Sequence, residues 1–174
     1  MSTTVKIILA FCIFLCCFIT FGILGFIGYS IYTEGTLSQS YNGSEYSFNF
    51  PKRYILREVG NAIDLTHESS SVGNNIAIEK LSKKYTDISD FYDSLDKQYY
   101  EKDSKVKFLS KSPYSISGLS GVKIKSEYKN AVSSYQYVVI ERDGTVYFIT
   151  ASAKIDDRLA ESTFDQIVNS FKLK

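Results

Sequence analysis

From Ile7 to Ile31 the chain carries no charged residue, and fifteen of these 25 positions are Leu, Ile or Phe. As a helix this run is about 37 Å long at roughly 1.5 Å per residue. A hydrocarbon core is about 30 Å thick, so the run predicts a membrane-spanning helix with some tilt. Beyond it the pattern breaks into short apolar–polar alternations bounded by turn residues, with two stretches of helical period. The chain is thus expected to comprise a short cytoplasmic N-terminus (1–6), a transmembrane helix (7–31), a linker (32–37) and one globular domain (38–174).

Within the domain, Ser38–Tyr41 and Ser44–Phe50 flank Asn42-Gly43, a hairpin signal whose turn residues tolerate positive φ. Tyr46, Phe48 and Phe50 alternate with Ser47 and Asn49, and Pro51 ends that strand because proline cannot donate to a ladder. Ala62–Thr66 and Asn75–Leu81 are expected strands around a serine-rich loop. Ile88, Phe91, Leu95 and Tyr99 then recur at three and four residues, predicting an amphipathic helix capped by Thr86 or Asp87. A short strand is expected at Val106–Leu109, before a loop at Ser112-Pro113. Three longer strands come next. The first has Val122, Ile124 and Ser126 on one face and Lys123, Lys125 and Glu127 on the other; the second is Tyr135–Glu141; the third, Val146–Ala153, is apolar enough to be central. A tight turn at Asp143-Gly144 joins the last two. A closing helix carries Phe164, Ile167, Val168 and Phe171 on one stripe, capped by Asp156 or Asp157. Antiparallel strands covered by two helices define an α+β fold.

Composition sharpens this picture. Of 20 basic residues Lys6 alone precedes the apolar run, so 19 basic and 19 acidic side chains balance beyond it. Such a balance argues against a nucleic-acid surface, which shows a basic excess. Cys12, Cys16 and Cys17 lie inside the run, so the domain has neither disulfides nor thiol chemistry. A cleaved signal peptide competes with the anchor, because Gly28-Tyr29-Ser30 has cleavage-type spacing. Its apolar region is ordinarily about 7–15 residues, however, and this one is far longer. Phe11 and Leu15 precede the cysteines where an acylated lipoprotein has small residues. Lys6 before the run and Glu34 after it place the N-terminus in the cytoplasm and the domain outside. Gly22, Gly25 and Gly28 lack the four-residue spacing of a dimerising helix pair.

The stretch Tyr46-Ser47-Phe48-Asn49-Phe50-Pro51-Lys52-Arg53-Tyr54 resembles the opening strand of PsbP-like domains, with Tyr54 where those proteins often carry Trp. Phe164-Asp165-Gln166-Ile167-Val168-Asn169-Ser170-Phe171-Lys172 resembles their closing helix and its Ser-Phe-Lys ending. The resemblance extends over about Ser38 to Lys174. It implies a PsbP-like α/β/α sandwich, an antiparallel β-sheet with helices on both sides. The family includes an extrinsic subunit of the plant oxygen-evolving complex, a Ran-binding import factor, bacterial secreted lipoproteins and secretion chaperones. What they share is binding rather than catalysis, and fold does not fix function.

Catalytic and metal-binding patterns are sparse. His67 is the one histidine, which is thin support for a metal site or a Ser-His-Asp triad, and it is expected at the surface or on an edge strand. Gly118-Leu119-Ser120-Gly121 lacks the spacing of a nucleophile elbow. Asp87, Asp90 and Asp93 lack the glycine and closing glutamate of a calcium loop and suit a helix N-terminus instead. No catalytic, metal or cofactor site is expected. Tyrosine is abundant, with 14 copies, and Tyr99, Tyr100, Tyr135 and Tyr137 are candidates for an amphipathic contact surface. Asn42-Gly43-Ser44 is a potential N-glycosylation acceptor. The expected function is a membrane-anchored, extracytoplasmic, non-catalytic binding or assembly module. Its expected partners are membrane lipid, through the N-terminal helix, and a protein. Two other readings are a surface hydrolase or metal-dependent enzyme, and a pilin-like subunit. Deleting residues 1–33 is expected to leave a soluble domain that unfolds cooperatively in urea with a midpoint unchanged by reductant; a molten or aggregated product would contradict this.

Overall fold

The computed structural model describes residues 36–69, 73–87, 89–91, 106–128, 132–140, 143–157 and 159–174. The expected transmembrane helix, its glycines and cysteines, Asp93, Tyr99 and Tyr100 lie outside the described residues. Among the described residues no helix is long and apolar enough to cross a membrane.

Ten strands and one helix of several turns are described, besides helical residues 89–91. They are β1 (Leu37–Asn42), β2 (Tyr46–Pro51), β3 (Tyr54–Val59), β4 (Ala62–His67), β5 (Asn75–Lys80), β6 (Val106–Ile116), β7 (Leu119–Tyr128), β8 (Val132–Ile140), β9 (Val146–Lys154), α1 (Ala160–Asn169) and β10 (Lys172–Leu173). Two sheets form, where one was expected. A small sheet has the order β1-β2-β10, and a large one has the order β3-β4-β5-β9-β8-β7-β6, with every neighbouring pair antiparallel. The fold is therefore mostly β. The small sheet and α1 together cover one face of the large sheet.

The inner face of the large sheet reads across its registers as Leu65, Ile76, Ala151 and Tyr135, and one pair along as Ile63, Ile78, Ile149 and Tyr137. On the small sheet Tyr46, Phe48 and Phe50 point inward as the alternation predicts and join the same core. Their rings pack on one another and on Phe171, with Tyr46 and Phe171 centred 5.0 Å apart. From α1 come Ala160, Phe164, Ile167 and Val168. Each large apolar side chain buried there contributes roughly 1.5–3 kcal/mol. Asp157 caps α1, its Oδ1 accepting from the N–H groups of Leu159 and Ala160 at 3.1 Å. The helix ends at Asn169, short of the expected stripe, and Phe171 is buried beyond it. On the opposite face Phe91, from helical residues 89–91, packs on Phe148 at 5.6 Å, and Val122 and Ile124 are buried. Asp87 begins that helix by accepting from the Asp90 N–H at 2.9 Å.

Several expectations are corrected. Tyr54–Val59 is a strand, paired through a two-residue Gly60-Asn61 turn to β4, and was not foreseen. β6 runs through Ser112-Pro113 without a loop, because it is an edge strand and leaves one side of its ladder unpaired. Gly43 does not have positive φ. What it supplies is room: a Cβ there would stand 2.6 Å from the Tyr41 hydroxyl, whose ring leans over the turn. His67 is buried on β4, an inner strand, against Tyr54, and its Nδ1 accepts from the Ser69 N–H at 3.1 Å.

The Asp143-Gly144 turn does carry the expected left-handed residue, with φ 82° at Gly144. A Cβ on Gly144 would lie 2.8 Å from the Tyr85 carbonyl oxygen, whereas Gly118, with φ 80°, has nothing within 4 Å. Gly118→Ala is expected to lower the unfolding free energy by about 1–2 kcal/mol, the conformational penalty alone. Gly144→Ala should lose measurably more in urea unfolding, because strain and backbone collision act together. Equal losses would show that the collision relaxes at no expense.

Candidate functional site

Two clusters concentrate polar chemistry. The first lies between β7, β8 and α1. Lys123 and Lys125 stand two residues apart on β7, so both point to the same face, and Glu161 and Asp165 stand four apart on α1, one turn along the same stripe. The Lys123 ammonium donates to Glu161 Oε1 and to both Asp165 oxygens, each at 2.8 Å, with 13% of its side chain exposed. Lys125 donates to Glu161 Oε2 at 2.9 Å. The fully buried Tyr137 donates its hydroxyl to Asp165 Oδ1 at 2.8 Å. Tyr114 bonds Asn169 Oδ1 at 2.9 Å and stands 3.4 Å from the same Asp165 oxygen.

These contacts set the electrostatics. Burial and then the Asp165 charge push the Tyr137 and Tyr114 phenols well above their ordinary range. Burial alone would lower Lys123, but its bonds to Asp165 and Glu161 outweigh that and raise it. Burial likewise works to raise Glu161, and the bonds from Lys123 and Lys125 overcome it and hold the carboxylate low. Every charge here is neutralised by another on the same chain, so the cluster fastens α1 to the sheet. Lysines read from the sequence as the polar face of β7 thus lie beneath a helix. The two-residue lysine spacing and the four-residue carboxylate spacing were visible, but their pairing required the topology.

The second cluster is an open cleft of about 330 Å³ where the turn ends of the two sheets meet. The β1–β2 turn supplies Gly43, Ser44 and Glu45, the end of β3 supplies Glu58, and the β3–β4 turn supplies Gly60 and Asn61. Tyr41 and Tyr46 form an aromatic wall, their ring centroids 5.7 Å apart. Lys80 from β5 reaches Glu45 Oε1 at 2.5 Å. Burial and then the Glu58 charge raise the Tyr41 phenol. Burial first, with Tyr41, Glu45, Tyr147 and Glu58 adding, pushes Tyr46 up to about 12. Lys174 bonds the Gly43 carbonyl from its ammonium and the Glu45 carbonyl from its backbone N–H, tying the chain end to this rim.

Of the four candidate tyrosines, Tyr135 and Tyr137 lie among the described residues. Tyr135 and Tyr137 are buried under α1, at 4% and 0% exposure, so these two are corrected from contact surface to core. A tyrosine on the inner face of a central strand buries its ring, and the Tyr137 hydroxyl finds a partner on the covering helix. Asn42 is exposed at the hairpin end of β1. Lys83 and Lys84 are exposed, Lys84 pairing with Asp143 at 2.7 Å. Among the described residues no group of three or more His, Cys, Asp or Glu is placed to hold a metal ion. The cleft residues Tyr41 and Glu58 were missed, since nothing in the local pattern links a β1 tyrosine to a β3 glutamate.

Asp165→Asn is expected to lower stability by about 2 kcal/mol, because it weakens the bonds of a mostly buried ammonium and a buried phenol. Lys125→Ala, with a more exposed pair, should lose less than about 1 kcal/mol. Glu161→Gln yields a pH signature. A depressed carboxylate contributes fully above its unfolded pKa of about 4.3 and loses that contribution as pH falls through its lowered folded value. With Glu161 partly exposed the gap to wild type should be at most about 1 kcal/mol, level near neutrality and closing in acid. Unfolding midpoints measured across pH check this, and a gap that widens in acid would contradict it.

No protein-family profile and no curated protein sequence matches the chain. Solved structures do. Cyanobacterial PsbP (CyanoP) from Synechocystis sp. PCC 6803 superposes with TM-score 0.59 at 15% identity, over 80% of this chain and 95% of that one. LpqN, involved in cell envelope biogenesis of Mycobacterium tuberculosis, gives 0.54 at 17%, over 82% and 95%. The Saccharomyces cerevisiae Ran-binding protein Mog1p gives 0.54 at 11%, over 78% and 94%. At these identities the likeness is one of architecture, and the described chain has the PsbP/Mog1-like fold.

Proposed function

We propose that this chain is a membrane-anchored, extracytoplasmic binding module without catalytic activity, which engages a protein partner at the cleft between its two sheets. The observation that carries the reading is the cleft itself: a concave, aromatic and charged surface assembled from two turns on a rigid β scaffold. Strongly perturbed side chains outside the cleft are engaged within the fold. Tyr137 and Tyr114 bond Asp165 and Asn169 across the α1 interface. Asp143 is held low first by its bond from Lys84 and then by Thr145, within a turn. Anchoring rests on the uncharged run from Ile7 to Ile31, and the outward placement of the domain on Lys6 and Glu34. In a host that glycosylates, the exposed Asn42 would be an accessible acceptor.

In cells, the full chain should remain in the membrane pellet at alkaline pH with its N-terminus intact. A Lys52→Cys variant, substituted at an exposed turn, should react with an impermeant maleimide on intact cells. A photo-crosslinking residue at Ser44 should give a discrete protein adduct, and the same residue at Lys107, on the far edge strand, should give none. A soluble product starting near Ile31 would overturn the anchor, labelling only after lysis would overturn the orientation, and equal adducts at both positions would overturn docking at the cleft.

A further inference from the structure

A sheet that ends in solvent leaves a row of backbone donors and acceptors unpaired, and natural folds guard such edges with short strands, proline, lysine or bulges. Of the four edges of the described sheets, three are guarded. β10 is two residues long. β1 has a register break between Leu37 and Gln39. β6 has another between Phe108 and Ser110, besides Pro113 and the exposed Lys107 and Lys111. The fourth edge, β3, keeps an unbroken six-residue register with β4 and has neither proline nor lysine. Its hydrogen-bond phase follows from its start. The Arg53 carbonyl accepts from the Glu68 N–H at 2.8 Å, so Ile55, Arg57 and Val59, in step with Arg53, bond to β4. Leu56 and Glu58 therefore turn their N–H and C=O groups to the open side. On the outer face of the sheet, Ile55 and Val59 are 48% and 55% exposed, with Arg57 exposed between them. Among the described residues no carboxylate pairs with Arg57, not even Asp64 opposite it in the register.

An added strand satisfies such an edge. Its N–H and C=O groups close the ladder at Leu56 and Glu58, and its alternate side chains lie beside Ile55, Arg57 and Val59. In an antiparallel addition Arg57 falls in a non-hydrogen-bonded pair, where opposed side chains stand closest. A carboxylate there meets the exposed guanidinium, and apolar side chains two residues to either side of it cover Ile55 and Val59. A second copy of β3 does not supply this pattern. In the two-fold registers centred on Leu56, Arg57 or Glu58, Arg57 faces Ile55, Arg57 or Val59 of the copy, never a carboxylate. We propose that β3 is the docking edge for a strand of a partner protein, added antiparallel, with an acidic residue opposite Arg57 and apolar residues two positions before and after it. This rests on the reading of the chain as a binding module and names the form of its partner. Glu58, near the end of β3, also lines the cleft, so the added strand runs beside it.

The 15N-labelled full chain in detergent micelles is titrated with the peptide acetyl-Lys-Thr-Val-Thr-Glu-Thr-Val-Thr-Lys-amide, and amide exchange is read by NMR. One control peptide carries Lys in place of Glu. Another carries N-methyl groups on the two threonines that flank Glu, which removes the donors the ladder needs. Saturating peptide is expected to slow exchange at the Leu56 and Glu58 amides about tenfold, and to leave Ile55 and Arg57, already bonded to β4, at their own rates. The N-methylated peptide should protect neither. Arg57→Glu is expected to weaken the acidic peptide about fivefold and to strengthen the lysine peptide, a reversal that a folding defect does not produce. No protection at Leu56 and Glu58, equal binding of the N-methylated peptide, or equal binding of the acidic and lysine peptides would overturn the proposal. A concentration-dependent dimer in sedimentation, with both amides protected before peptide is added, would assign the edge to a second copy and overturn it as well. If the peptide fails while the Ser44 adduct forms, the edge falls and the binding module stands. If the peptide binds and Ser44 gives no adduct, docking at the cleft falls and the edge stands.

Discussion

The structure depends on one ten-residue helix held over a β-sheet by charge. Apolar packing of Phe164, Ile167 and Val168 supplies most of the free energy, but it is non-directional and leaves the helix free to rotate or slide. The Lys123 ammonium removes that freedom. It reaches Glu161 and Asp165 at once, while Tyr137 reaches Asp165 from the neighbouring strand. Three elements are thereby fixed to a common point in a mostly dry environment, where such bonds are strong and a lost partner is expensive.

The position of α1 is transmitted to the small sheet through the chain that leaves it. Two residues beyond the helix that chain enters β10, which pairs with β2 and completes the small sheet. Ser170, at the helix end, bonds the Asn49 N–H at 2.8 Å, so β2 is gripped from the same direction. The small sheet thus takes its position over the large one from α1, and the cleft is bounded by turns from both. Chains of the same architecture include a Ran-binding protein and a protein involved in cell envelope biogenesis. What distinguishes this one has to be sought in side chains such as Tyr41 and Glu58, which the fold itself does not dictate.

Much of this was legible from periodicity. The alternation of Tyr46, Phe48 and Phe50 is observed, as are the central apolar strand at Val146, the Asp143-Gly144 turn and the amphipathic closing helix. These are local signals, carried by residues that contact their own neighbours. β3 was missed because Tyr54–Val59 mixes Arg57 and Glu58 into a half-exposed edge strand with no clean alternation. The loop expected at Ser112-Pro113 was an edge-strand proline, and a sequence does not say which strand is at the edge. The tyrosines were misread for a related reason. Tyr135 and Tyr137 have the composition of an interface, and only the register with β9 and the approach of α1 reveal that both rings are buried and that the Tyr137 hydroxyl is satisfied internally. The candidate cleft joins residues from five strands and two turns, and no window of sequence contains it.

The central claim is that the Lys123–Asp165–Tyr137 junction positions both α1 and the small sheet. Amide hydrogen exchange in the Tyr137→Phe variant measures this most directly, since that change removes one bond and leaves the ring and every charge in place. If the account is right, protection falls together in α1 and in the β2–β10 pairing, at the Lys172 and Tyr46 amides, while β4 and β5 keep wild-type rates. Loss confined to α1, with the small sheet undisturbed, would contradict it.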